Sequence, residues 1–166
     1  GAVATECGFL YCATHADALC APFYHPFRPW PLDNADWPIV DVLDEPVPMW
    51  QLAMHGLVTQ EQQGVGWKET MNAVLLGSVM RDEWSAEPDV MPVLDDERIA
   101  QLKAVYHVAT DRHGHLVTKE LINWQRLGDG IEQTEFADGT VVVADFNDER
   151  LTVNDKNIDR PAALTD

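Results

Sequence analysis

IEQTEFADGTVVVADF, residues 131–146, reads as two strands folded about a tight turn. Ile, Thr, Val and Phe suit a pleated, half-buried surface, and Asp138-Gly139 between the two runs is a strong short-range hairpin signal. Beyond the hairpin, Asn147-Asp148-Glu149-Arg150 turns into Leu151-Thr152-Val153, and Asn154-Asp155-Lys156-Asn157 turns again. On its other side LVTKELINWQRL, residues 116–127, predicts a strand of mixed register. Residues 115–166 are therefore expected to form a small antiparallel β meander, or part of a sandwich.

Residues 1–114 have another character, and the pattern there predicts an α/β part. PVPMWQLAMHG, residues 46–56, is a concentrated apolar stretch and reads as a buried strand, or a strand running into a short turn, with His55 at its carboxyl end. GWKETMNAVLLGSVMRDEW, residues 66–84, carries Met71, Val74, Leu75 and Val79 near helical spacing, with Gly64-Val65-Gly66 as the turn before it. Gly64-Val65-Gly66-Trp67-Lys68-Glu69 lacks the third glycine of a dinucleotide fingerprint, and no strand is evident ahead of it, so that reading is set aside. A second helix is expected from Leu94. Asp95, Asp96 and Glu97 stand where a first turn favours acidic groups, and Ile99, Leu102, Val105, Tyr106 and Ala109 form the apolar stripe. Gly114 is a reasonable stop.

The chain has 166 residues, enough to bury a sizeable core in one domain or slightly more. Hydrophobic residues make up 46% and the mean hydropathy is -0.21, which indicates a globular chain rather than a disordered one. No segment reaches the about 20 apolar residues of a helical membrane span, and no secretory leader pattern is present, so no membrane partner is expected. The localisation is open between a bacterial cytoplasm and secretion. The sequence starts on a strand-like run with no initiating Met, which suggests a piece of a longer protein with Gly1 as an added residue. With 28 acidic residues against 11 basic ones, the formal net charge is -17. Such a field repels phosphate backbones, which argues against a nucleic-acid partner and is compatible with neutral substrates such as sugars. The local cluster from Asp82 to Glu97 reads as a solvated face.

Cys7, Cys12 and Cys20 are odd in number and lack a C-x-x-C spacing, which argues against a disulfide framework or a zinc ribbon. With His15 and His25 they make a nominal Cys/His cluster whose spacing matches no standard zinc pattern; buried thiols are the preferred reading. His107, His113 and His115 read as a helix terminus and turn, with a metal role as the alternative. No metal and no cofactor is expected. Residues 22–50 hold most of the prolines together with Phe23, Tyr24, Phe27, Trp30, Trp37 and Trp50. Proline at this density forbids long regular elements, and a loop of this length in a compact domain is usually functional. Its aromatic rings suit the C–H faces of sugars, and they suit plain packing of the loop equally well.

The opening GAVATECGFLYC, residues 1–12, delivers Glu6 to the end of a short β-like run. A solvated strand-end glutamate is one reading; a catalytic acid at a strand's carboxyl end is the other.

Taken in order, the strand ending in Glu6, the Pro/aromatic loop, Pro48-x-Trp50-Gln51-Leu52-x-x-His55-Gly56, two helices and the tail Thr134-x-Phe136-x-Asp138-Gly139-Thr140-x-Val142-x-x-x-Phe146 resemble the C-terminal part of bacterial glycoside hydrolases of the α-N-acetylgalactosaminidase and endo-α-N-acetylgalactosaminidase group. The resemblance implies partial (β/α) barrel elements in residues 1–114, followed by the β appendage of residues 115–166. It implies retaining chemistry, in which two carboxyl groups flank the scissile bond, one attacking the anomeric carbon and the other acting as acid and then base. Glu6 matches the acid/base, whose pKa apolar neighbours such as Val3, Phe9 and Leu10 could raise. His55 matches a histidine at a later strand end, where it would bond substrate hydroxyls or brace the site; the alternative is a core histidine with satisfied hydrogen bonds. Trp30, Trp37 and Trp50 complete the expected substrate-binding set. The nucleophile's strand would precede residue 1, since Asp17, Asp33, Asp36 and Asp41 follow no clean apolar strand. The expected partners are a glycan and the remainder of a parent chain, or a second copy, covering exposed strand edges. The different class of function left standing is a non-catalytic carbohydrate-binding or interaction module.

Overall fold

A computed structural model describes residues 4–5, 18–19, 47–82 and 94–164. They form two sheets. The first is parallel and four-stranded, with strands in chain order: β1 (Ala4–Thr5), β2 (Ala18–Leu19), β3 (Thr59–Gln63) and β4 (Val79–Arg81). Its register aligns Ala18 with Thr59, and Glu61, Gln62 and Gln63 with Val79, Met80 and Arg81. The second is antiparallel and five-stranded, again in chain order: β5 (Leu121–Gly128), β6 (Ile131–Phe136), β7 (Val141–Asp145), β8 (Arg150–Val153) and β9 (Lys156–Ile158).

The hairpin read from residues 131–146 is present as β6 and β7. Gly139 takes φ +84°, and Asp138 Oδ1 accepts from the Thr140 N–H at 2.9 Å, so the Asp-Gly pair closes the turn. Asn154 and Asp155 both have positive φ, at 50° and 61°, which turns β8 tightly into β9 with the twist a hairpin favours. Pairing fixes which side of the sheet is buried. Thr134 stands opposite Val142 and Val142 opposite Val153; Glu132 stands opposite Ala144 and Ala144 opposite Leu151. All six are buried on one face. The strand expected over 116–127 begins later, because Gly114–Thr118 forms a 3₁₀ turn before β5.

Helix α1 (Met49–Met54) occupies the stretch expected to be a strand. Periodicity alone cannot separate a short apolar strand from a short buried helix. Met, Gln, Leu and Ala are all good helix formers, and Pro48 at the cap position adds the fixed φ that starts a turn. Helix α2 (Trp67–Leu76) is shorter than the sequence suggests. It ends at Gly77, in the left-handed region at φ +60°, and Val79 belongs to β4 rather than to the helix stripe. The helix starts as expected at Gly66, where the Thr70 hydroxyl donates to the Gly66 carbonyl at 2.7 Å. A strand does precede it: β3 was hidden because TQEQQ contains no apolar residue.

Helix α3 (Asp96–Val105) is capped by Asp95, whose Oδ1 accepts from the Arg98 N–H at 2.8 Å. It continues into a π-helical stretch, Tyr106–Arg112. The buried positions differ from the expected stripe. Val105, Val108 and Ala109 are buried, while Tyr106 is 61% exposed.

One hydrophobic cluster joins α2 to the antiparallel sheet, with Met80 of β4 packed against it. Trp67, Met71, Val74 and Leu75 of α2 pack with Val108 and Leu116 and with Phe136, Val142, Ala144 and Leu151 of the antiparallel sheet. Each such fully buried side chain contributes about 1.5–3 kcal/mol relative to exposure. The Trp67 indole N–H donates to the Glu149 carbonyl at 2.8 Å, so the largest core residue is also satisfied.

Candidate functional site at the carboxyl edge of the parallel sheet

All strands of the first sheet run the same way, so their carboxyl ends share one edge, where open α/β sheets and barrels carry ligands. Side-chain alternation divides β3 cleanly. Gln60 and Gln62 are buried toward the helices: Gln62 Oε1 accepts from Asn72 Nδ2 of α2 at 2.7 Å, and Gln60 Nε2 reaches the Gln51 carbonyl of α1 at 3.4 Å. Glu61 turns the other way. It meets Arg81, the last residue of β4, with Oε2 3.4 Å from the guanidinium Nε. The next residue, Asp82, is held by both arms of Arg98, at 3.2 Å from Nε and 2.5 Å from Nη2. That fork ties the end of β4 to the first turn of α3, and charge assistance strengthens both bonds. Asp82 therefore belongs to a fixed ion pair at the sheet edge and not to a solvated face.

His55 follows α1 and is 4% exposed. Its Nδ1 lies 2.5 Å from the Lys119 carbonyl oxygen and its Nε2 3.0 Å from the Gly77 carbonyl oxygen. The ring stands edge-on to Phe136, with centroids 5.6 Å apart. Gly56 continues the joint: a Cβ there would lie 3.3 Å from the Glu120 Cα. His55-Gly56 thus fastens α1, the end of α2 and the segment leading into β5 to one another. In this arrangement both ring nitrogens lie within hydrogen-bond distance of main-chain carbonyls, and a nitrogen that carries a proton donates to the carbonyl facing it.

Among the other expected site residues, Trp50 is the second residue of α1. Glu6, Trp30 and Trp37 lie outside the described residues, as do Cys7, Cys12, Cys20, His15, His25, Asp17, Asp33, Asp36 and Asp41. The described residues hold no group of three or more His, Cys, Asp or Glu able to share a metal ion. They also hold no helix long and apolar enough to cross a membrane. His113 and His115 stand near each other, centroids 6.5 Å apart. Burial, then the neighbouring His115 and Arg112, holds the His113 pKa below the usual histidine range. Glu61, Arg81, Asp82 and Arg98 were not singled out by the sequence. The signal available was Val79-Met80-Arg81-Asp82, an apolar pair ending in two opposite charges.

No family model matches the chain, and no curated protein sequence matches it. Solved structures do. An α-N-acetylgalactosaminidase NagBb of Bifidobacterium bifidum, in a quadruple mutant form, aligns with a TM-score of 0.60 and 19% identity over 92% of this chain. The same enzyme in complex with GalNAc aligns with a TM-score of 0.57 and 21% identity over 93% of this chain. The likeness is one of fold. The chain spans 23% of the length of those solved chains.

Proposed function

We propose that this chain is part of a retaining glycoside hydrolase that acts on O-glycosidic bonds of α-linked N-acetylgalactosamine or a similar sugar. One observation carries the reading: the fold match to an α-N-acetylgalactosaminidase over 92% of the chain. The parallel strands in chain order with helices beside them support residues 1–114 as the later elements of a (β/α) barrel, with residues 115–166 as its β appendage. In this reading Glu6, immediately after β1, is the acid/base at a strand's carboxyl end. Trp30, Trp37 and Trp50 are the proposed sugar-binding residues, the nucleophile comes from a preceding strand, and the isolated chain does not hydrolyse glycosides. The partners are a glycan and the rest of the parent chain. No cofactor takes part in the proposed chemistry. Hydrolysis of p-nitrophenyl α-N-acetylgalactosaminide by the natural polypeptide that carries this chain tests it. Glu6→Gln is expected to lower kcat by at least a hundredfold, in line with the usual contribution of general acid–base groups. Unchanged activity in the variant overturns the assignment.

His55 favours keeping the second reading, a non-catalytic carbohydrate-binding or interaction module, because its ring nitrogens face main-chain carbonyls. In that case the polypeptide binds the sugar, cleaves none, and Glu6→Gln leaves binding unchanged.

A further inference from the structure

The central strand of a parallel sheet is normally an apolar run, because both of its faces are covered. Here β3 lies between β2 and β4 and reads Thr59-Gln60-Glu61-Gln62-Gln63. Toward the helices this composition brings a cost. Gln60 is 1% exposed and its Oε1 has no hydrogen-bond partner, a deficit of about 1–3 kcal/mol for a buried polar atom. An apolar β3 would pack better. The opposite face shows why a polar strand is useful. Glu61, the middle residue of β3, and Arg81, the last of β4, meet there diagonally across the strands, with side chains 22% and 29% exposed.

We propose that the Glu61–Arg81 pair is a ligand subsite for two neighbouring hydroxyl groups of a sugar ring. A carboxylate supplies acceptors only, and a guanidinium supplies donors only. Adjacent hydroxyls each donate and accept, so a vicinal diol can bridge the pair, giving its protons to Glu61 and taking N–H bonds from Arg81. A charged ligand of either sign would meet repulsion from one partner, which selects a neutral polyhydroxylated molecule. The net charge of -17 further disfavours anionic ligands. The inference rests on the glycan reading above and names the residues that would read the sugar's hydroxyls; it requires no activity from the isolated chain.

Titration calorimetry with N-acetylgalactosamine as the probe tests it on the natural polypeptide that carries this chain, with thermal melts confirming that each variant folds. Glu61→Gln, which removes the carboxylate charge and one of its two acceptor oxygens, and Arg81→Lys, which removes the planar fork of donors, are each expected to weaken binding about tenfold or more. Glu61→Arg combined with Arg81→Glu separates the subsite from a merely structural ion pair. The exchanged pair should restore the melting temperature while binding stays weak. Full recovery of binding in the exchanged pair, or unchanged binding in the single variants, overturns the subsite and leaves the glycan reading standing. No binding of the sugar by the unmodified natural polypeptide overturns both.

Discussion

Gly77 shows how much one residue without a side chain can decide. It caps α2 at positive φ, and a Cβ there would fall 2.5 Å from His55 Nε2 and 2.9 Å from Phe136 Cε1. Gly77→Ala combines the left-handed backbone cost with forced repacking, about 2–4 kcal/mol together, measurable as a lowered urea midpoint. His55→Leu is expected to cost a similar amount, about 2–4 kcal/mol, because the carbonyls of Lys119 and Gly77 lose their buried partner. If His55 were a surface residue the change would be within about 0.5 kcal/mol. His113 gives a pH signature. Its folded pKa is held below the ordinary 6.5, so above that value the ring is neutral in both states and nothing changes. As the pH falls below 6.5 the unfolded chain binds the proton more readily, and stability drops until the folded pKa is passed. His113→Gln should flatten that part of the stability–pH curve, as followed by chemical denaturation at a series of pH values.

At the scale of elements, the antiparallel strands were legible because alternation and turn chemistry agree. Asp138-Gly139 and Asn154-Asp155 each set a backbone geometry that neighbouring β-branched residues reinforce. The helical part was legible in outline only. Asp95 announced the start of α3, but nothing in Tyr106–Arg112 distinguishes π from α winding, and the expected stripe counted Tyr106 where Val108 is the buried residue. α1 escaped because an apolar hexamer fits a strand as well as a helix, and β3 because the strand signal is hydrophobic and TQEQQ carries none. The charged edge was hidden for the same reason. Glu61 and Arg98 are distant in sequence from the adjacent Arg81 and Asp82, and only the pairing of β3 with β4 and the docking of α3 bring them together. Asp95→Ala is expected to destabilise by about 1 kcal/mol through loss of the helix cap, seen as a small fall in melting temperature.

For the whole molecule, the shared core makes a definite prediction. Phe136 is fully buried, lies edge-on to His55 and belongs to the same cluster as Trp67 and Met71 of α2. Phe136→Ala should cost about 3–5 kcal/mol. The loss should appear at one and the same midpoint in far-ultraviolet dichroism and in tryptophan fluorescence. Separate midpoints for the two signals would show that α2 and the antiparallel sheet unfold independently.

The all-polar β3 also bears on the order in which the chain assembles. Hydrophobic collapse has nothing to grip in TQEQQ, whereas the β6–β7 hairpin is local and carries Phe136, Val142 and Ala144. The hairpin and α2 can come together first, and β3 docks only once Asn72 of α2 and the neighbouring strand await it. A polar centre thus makes the parallel sheet the last part to close and the first to open.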